Sequence, residues 1–114
     1  DDLIYGDLGE DHLHGNKGDD LIFGGKSNDW LHGGQGDDVL YGNLDADVFN
    51  LSRGSDRVMD FEANEGDRIV IRSGVTYSIQ AQGSDLLINS DLGSLLLVGT
   101  EISSFYSAQS IVVV

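Results

Sequence analysis

The chain has no cysteine and no proline, and six basic residues stand against twenty acidic ones. Without cysteine there is no disulfide framework, so a small domain needs another staple, and a bound metal is one. Without proline, the sixteen glycines imply loops that turn through positive φ. The formal charge of −14 argues against nucleic acid, whose phosphates need a basic surface. It also leaves the bare chain repelling itself. There is no cationic-then-apolar leader, and no apolar run long enough for a transmembrane segment. No serine elbow, HExxH pair or phosphate loop is present, and Ser52, Ser55 and Ser73 sit in turns, where serine is ordinary. These absences predict a non-catalytic chain. With 114 residues it has the length of one domain. It opens in mid-repeat at Asp1, which reads as one part of a longer polypeptide with an upstream domain.

What is present is a repeat. From Gly6 to Asn50, nine residues recur five times without insertion: GDLGEDHLH, GNKGDDLIF, GGKSNDWLH, GGQGDDVLY, GNLDADVFN. Position one is Gly6, Gly15, Gly24, Gly33 or Gly42. Position six is Asp11, Asp20, Asp29, Asp38 or Asp47. Position eight is Leu13, Ile22, Leu31, Leu40 or Phe49. Asp2 and Ile4 keep this phase before the first unit, and Asp56 and Val58 keep it after the last.

Each unit is a polar, glycine-rich loop followed by three residues of strand character, which cannot stand alone but can stack. If each loop reverses the chain, two units make an eighteen-residue coil. The interior becomes two facing ladders, Ile4–Ile22–Leu40–Val58 and Leu13–Leu31–Phe49. Alternation along a strand then turns Leu3, Tyr5, Leu21, Phe23, Val39 and Tyr41 outward on one sheet, and His12, His14, Trp30, His32, Val48 and Asn50 on the other. The first set is an apolar patch, which is either covered by another part of the protein or docks a partner. His14 and His32 fall on adjacent rungs. Two histidines can bind zinc or copper, but no third ligand accompanies them, so the expectation is a surface ladder.

Residues 1–59 form the repeat array. Residues 60–114 change character, with strands expected over about Arg68 to Arg72, VTYSIQAQ, DLLINS, SLLLVG and SIVVV, and turns at Asn64-Glu65-Gly66 and Asp91-Leu92-Gly93. This spacing of turns predicts a small antiparallel sheet or sandwich, serving as a cap continuous with the coil and closing its open end. Glu101 to Ala108 can make a short turn of helix.

The loops carry the chemistry. Calcium takes roughly six to eight oxygen ligands from carboxylates and carbonyls. A loop such as GGQGDD can bend its carbonyls inward and add one Asp, while a second loop stacks above it eighteen residues later. A plain solvated turn needs neither the fixed Asp nor the fixed phase.

These units resemble the RTX family, the glycine-rich nonapeptide repeats of secreted bacterial toxins, proteases, lipases and alginate epimerases. GGQGDDVLY matches the family pattern G-G-x-G-x-D-x-U-x, with U apolar, at every position, and Asp56 to Ile71 looks like the segment that follows such repeats. The resemblance implies an all-β fold, a right-handed parallel β-roll with calcium between stacked loops and an antiparallel C-terminal cap. By the family pattern, one ion sits among Asp7, Gly9, Asp11, Gly24, Lys26 and Asp29. A second sits among Asn16, Gly18, Asp20, Gly33, Gln35 and Asp38, and a third among Gly25, Ser27, Asp29, Gly42, Leu44 and Asp47. A fourth uses Gly34, Gly36, Asp38, Leu51, Arg53 and Asp56. Asp2 pairs with Asp20 in a half-built site, and Asn43 and Asp47 look to Asp60 for a closing partner.

Four or five calcium ions are therefore expected. Ser27 and Asp45, in place of glycine, predict strained loops. The calcium chemistry is expected to fade at Asp60. The resemblance further implies a calcium-folded module of a secreted, extracellular protein exported by type I secretion machinery. Ser110 to Val114 occupies the place of the family's secretion signal, without its acidic element. The alternative is a module that binds a polysaccharide or protein through its outer apolar face.

Overall fold

The computed structural model describes residues 2–114. Six three-residue strands follow at nine-residue intervals: β1 Leu3–Tyr5, β2 His12–His14, β3 Leu21–Phe23, β4 Trp30–His32, β5 Val39–Tyr41 and β6 Val48–Asn50. A longer strand, β7 Gly54–Val58, completes the array. All pair in parallel with the strand one coil away. Ile4 faces Ile22, Ile22 faces Leu40, and Leu40 faces Val58. On the second sheet Leu13 faces Leu31, and Leu31 faces Phe49. Both interior ladders are those expected from the nine-residue period. Ile22, Leu31, Leu40, Phe49 and Val58 are fully buried.

Beyond residue 60 the two sheets continue. After a 3-10 turn at Ala63–Glu65, β8 Arg68–Ile71 pairs in parallel with β6, setting Ile69 beside Phe49. The meander β9 Tyr77–Gln82, β10 Asp85–Ser90 and β11 Gly93–Leu97 is antiparallel, but β11 docks in parallel on β7. A short helix, α1 Ile102–Ser107, leads to β12 Ile111–Val113, parallel to β8. The sheet orders are β1-β3-β5-β7-β11-β10-β9 and β12-β8-β6-β4-β2. Only the meander is antiparallel, and the rest of this half adds parallel rungs. The stretch in the place of the secretion signal is folded into the second sheet as β12.

Three aromatic rings close the core between the sheets. Phe49 lies 6.1 Å from Phe61, and Phe61 lies 5.7 Å from Phe105 of α1. The C-terminal strands join the larger sheet at its edge, so they extend its outer face without covering the first rung. Leu3 and Tyr5 are 58% and 59% exposed. Tyr5, Phe23 and Tyr41 stack face to face at 5.0 and 4.8 Å, so the ladder turns ring edges outward.

Candidate metal centre

The loops reverse the chain because positions two and four both take positive φ. Asp7 and Gly9, Asn16 and Gly18, Gly25 and Ser27, Gly34 and Gly36, and Asn43 and Asp45 all do so. Glycine does this freely, and Asn and Asp tolerate it. Ser27 (φ 78°) and Asp45 (φ 75°) adopt the glycine conformation in spite of their side chains. The Asp45 carboxylate accepts the Ser27 amide at 2.8 Å, which ties those two loops together.

One contact defines the register of the whole roll. The backbone N–H of each position-six Asp donates to Oδ1 of the Asp one coil later. It joins Asp2 to Asp20, Asp11 to Asp29, Asp20 to Asp38, Asp29 to Asp47, and Asp38 to Asp56, at 2.7–2.9 Å. Oδ2 is then left over. In Asp11, Asp20, Asp29, Asp38 and Asp47 it is buried and has no hydrogen-bond partner. A buried unpaired carboxylate oxygen is costly, and in a native fold it calls for a counter-ion.

The glycines show where those oxygens point. A side chain on Gly15 would meet Oδ2 of Asp20 at 2.5 Å and the carbonyl of Gly33 at 2.6 Å. On Gly24 it would meet Oδ2 of Asp29 and the carbonyl of Gly42, both at 2.8 Å. On Gly6 it would meet the Gly24 carbonyl at 2.5 Å and Oδ2 of Asp11 at 2.8 Å. Carboxylate and next-coil carbonyl thus converge on one spot in three successive loops. At Gly33, by contrast, the nearest atoms are all from Asp38, because the next loop begins with Leu51. The carbonyls of Asp7, Asn16 and Gly25 each accept a next-coil amide, from Lys26, Gln35 and Leu44, so one lone pair of each is already engaged.

The nine-residue phase missed Asp67. The Asp47 N–H donates to Oδ1 of Asp67 at 2.8 Å, twenty residues on, and Glu62 N–H donates to Oδ2. Asp60 receives the amides of Gly42 and Asn43 at 2.9 and 2.8 Å. The partner expected for Asn43 is therefore Asp60, but Asp47 is closed by Asp67. The 3-10 turn absorbs two extra residues, and the visible signal was Gly66-Asp67 two before Ile69. The aspartate ladder thus runs past Asp60. It ends on the larger sheet at Asp56, whose Oδ2 accepts the Ser52 hydroxyl at 2.8 Å and whose neighbour on the next rung is Leu95. Position five adds a second ladder on the loop edge, where Asp19 accepts from Asp37 and Asp37 from Ser55.

His14 and His32 stack at 4.3 Å on adjacent rungs. Among the described residues no three His, Cys, Asp or Glu side chains converge on a point. A cation in these loops would draw on paired carboxylates and carbonyls, a hard-oxygen set suited to calcium.

Burial pushes Asp47 up to about 8, Asp56 to about 7 and Asp67 to about 6, and it raises Asp29 and Asp38 too. Backbone amides oppose the shift in each, while the carboxylates of Asp67, Asp29 and Asp60 add to it at Asp47. A metal-free roll thus holds protons that the unfolded chain releases near 3.8, and its stability falls as pH rises from about 4 to about 8. Without metal, the β signal in circular dichroism should be stronger at pH 5 than at pH 8. A metal-free signal that grows with pH would contradict this.

The family model for the RTX calcium-binding nonapeptide repeat matches residues 1–30 and 23–58, in four copies. The extracellular lipase LipA from Serratia marcescens has a similar fold over 92% of this chain and 20% of the lipase chain, at 24% identity and TM-score 0.72. The AlgE6R3 subunit from the Azotobacter vinelandii mannuronan C5-epimerase is similar over 98% of this chain and 78% of that one, at 23% identity and TM-score 0.67. At these identities the likeness is one of fold, and the chain spans about a fifth of the lipase. No curated protein matches it. RTX nonapeptide repeats bind calcium, and a parallel β-roll is the fold of both neighbours. With half its length matched and one aspartate register carried through both sheets, this chain belongs to the RTX calcium-binding nonapeptide repeat family.

Proposed function

We propose that the roll holds five calcium ions between stacked loops, and that this loading folds the chain. The carrying observation is the set of five buried carboxylate oxygens without partners, one for each ion. The first site takes Asp7, Gly9, Asp11, Gly24, Lys26 and Asp29. The second takes Asn16, Gly18, Asp20, Gly33, Gln35 and Asp38. The third takes Gly25, Ser27, Asp29, Gly42, Leu44 and Asp47. The fourth, around Asp38 and Asp56, draws on Gly34, Gly36, Leu51 and Arg53 and is weaker, since Leu51 breaks the loop pattern. The fifth sets Asp47 against Asp67, the aspartate that closes its rung. Calcium supplies the positive charge that the stacked carboxylates lack, while the aspartates orient the loops and the glycines leave room. No reacting group lies among them, so the module binds and does not catalyse.

Titrating calcium into the metal-free chain tests this. Calorimetry should count five ions, and Asp67→Asn, whose own carboxylate is a ligand in the fifth site alone, should count four. Uptake of fewer than three ions by the unaltered chain would sink the reading.

In this reading the module stabilises a larger secreted, extracellular protein. An acidic chain unfolded where calcium is scarce passes through type I secretion machinery, then folds where calcium is plentiful. Family membership and the fold shared with an extracellular lipase support it. The exposed Leu3 and Tyr5 favour a second role, docking a protein partner or the upstream domain on the outer apolar face. A polysaccharide is less suited there, because the ring faces are spent on one another.

A further inference from the structure

Four strands stand at the edges of the two sheets, β1 and β9 on the larger, β12 and β2 on the smaller. An edge strand offers a row of unpaired backbone groups to any other chain, and proteins blunt it by shortness, charge, proline or a bulge. Three of the four are short. β1, β2 and β12 have three residues each, and Asp2 and Asp11 directly precede the first two. β9 has none of these protections. It is six residues long, and its pairing with β10 runs unbroken from Tyr77–Ser90 to Gln82–Asp85. Residues 73–84 hold no charge and no proline, in a chain of net charge −14. Within β9 only Ile79 is half-buried, and the rest of the strand is exposed.

The turn fixes which backbone groups are free. Gly83 takes φ 65° and Ser84 does not take a positive φ, which makes a two-residue type II′ turn. Its flanking pair, Gln82 and Asp85, exchanges both hydrogen bonds. Alternation then commits the amides and carbonyls of Ser78, Gln80 and Gln82 to β10. Those of Tyr77, Ile79 and Ala81 face the open edge. Among the described residues these outward groups have no other hydrogen-bond partner.

We propose that β9 pairs antiparallel with β9 of a second copy of this chain, about a twofold axis through Ile79. In that register the row is self-complementary. Ile79 meets Ile79 of the second copy, and Tyr77 meets Ala81 of the second copy, in both directions. Each pair exchanges two bonds, so every outward amide and carbonyl is satisfied. On the face shared with Leu86 and Ile88, the large Tyr77 lies against the small Ala81, and the two isoleucines touch. On the other face Ser78 lies against Gln80, a neutral pair. The two larger sheets run on as one, and the twofold contact closes at two copies. Charge favours this edge for a second copy. Two chains of −14 repel across most of their surface, and β9 is the long edge at which the paired strands bring no carboxylate. The inference rests on the calcium-folded roll, since only the folded chain presents β9 as an edge.

One strand pair buries less than a standard interface, so the pair dissociates in the micromolar range. Sedimentation equilibrium of the calcium-loaded chain, from low to high micromolar, should show the mass rise from one copy to two and stop there. Ala81→Pro removes an outward N–H and no bond to β10, and it should abolish the rise. Gln80→Glu should weaken the pair at least fivefold. Leu3→Glu adds the same charge at the opposite edge of the sheet, on the exposed apolar patch, and should change it less than twofold. Hydrogen exchange reads the register. The amides of Tyr77, Ile79 and Ala81 should gain protection as concentration rises, whereas those of Ser78, Gln80 and Gln82 should be protected throughout. Circular dichroism with calcium confirms that each variant folds. The proposal is overturned if the folded chain stays single at the highest concentration, if it grows past two copies, or if it associates in excess chelator. It is equally overturned if Leu3→Glu separates the copies and Gln80→Glu does not, which would put the contact on the apolar face. A chain that fails to fold in calcium would instead overturn the calcium reading.

Discussion

Chelating calcium is expected to unfold the chain, expanding its radius of gyration from 12.7 Å toward the roughly 34 Å of a disordered chain of this length. The reason lies in how little each rung contributes by itself. A coil buries one apolar side chain per strand and must also place a desolvated aspartate against the aspartate of the next coil. Asp20, Asp29, Asp38, Asp47, Asp56 and Asp67 are each at most 3% exposed. A small domain is stable by only about 5–15 kcal/mol, and several unneutralised buried carboxylates exceed that margin. Small-angle scattering and circular dichroism with calcium and with excess chelator measure the effect. Identical profiles in the two conditions would refute calcium-driven folding.

Phe49→Ala should cost about 3–5 kcal/mol, the second-largest effect. Phe49 has no exposed surface. It joins the interior ladder of the second sheet to Ile69 and, through Phe61, to Phe105. Because folding and calcium binding are one equilibrium in this scheme, the loss appears as a demand for more calcium. Spread over five ions, it raises the calcium concentration at half-folding by about three- to fivefold. Calcium titrations followed by circular dichroism would show it, and a midpoint moved less than twofold would uncouple the core from the metal. By the same logic Leu3→Ala, on the exposed rung, should barely shift the midpoint.

The repeat array was legible in the sequence to the level of side-chain partners. A strict period of nine, with glycine at one, aspartate at six and an apolar residue at eight, admits one stacking register. The ladders from Ile4 to Val58 and from Leu13 to Phe49 follow from it. The local strands and turns of the second half were also readable, since Asn64-Glu65-Gly66 and Asp91-Leu92-Gly93 carry ordinary turn chemistry. Their partners were not. Pairing between distant strands leaves no period in a sequence once an insertion has broken the phase. So β8, β11 and β12 read as parts of an antiparallel cap, although they add parallel rungs to the roll.

The fixed Asp of each repeat marked by itself where a cation would sit, because nothing else explains an acidic residue recurring in a loop that glycine already turns. Only the tertiary structure decided where that series stops. Asp67 enters it twenty residues after Asp47 because a 3-10 turn takes up the slack. On the other sheet Leu95 ends it by standing beside Asp56.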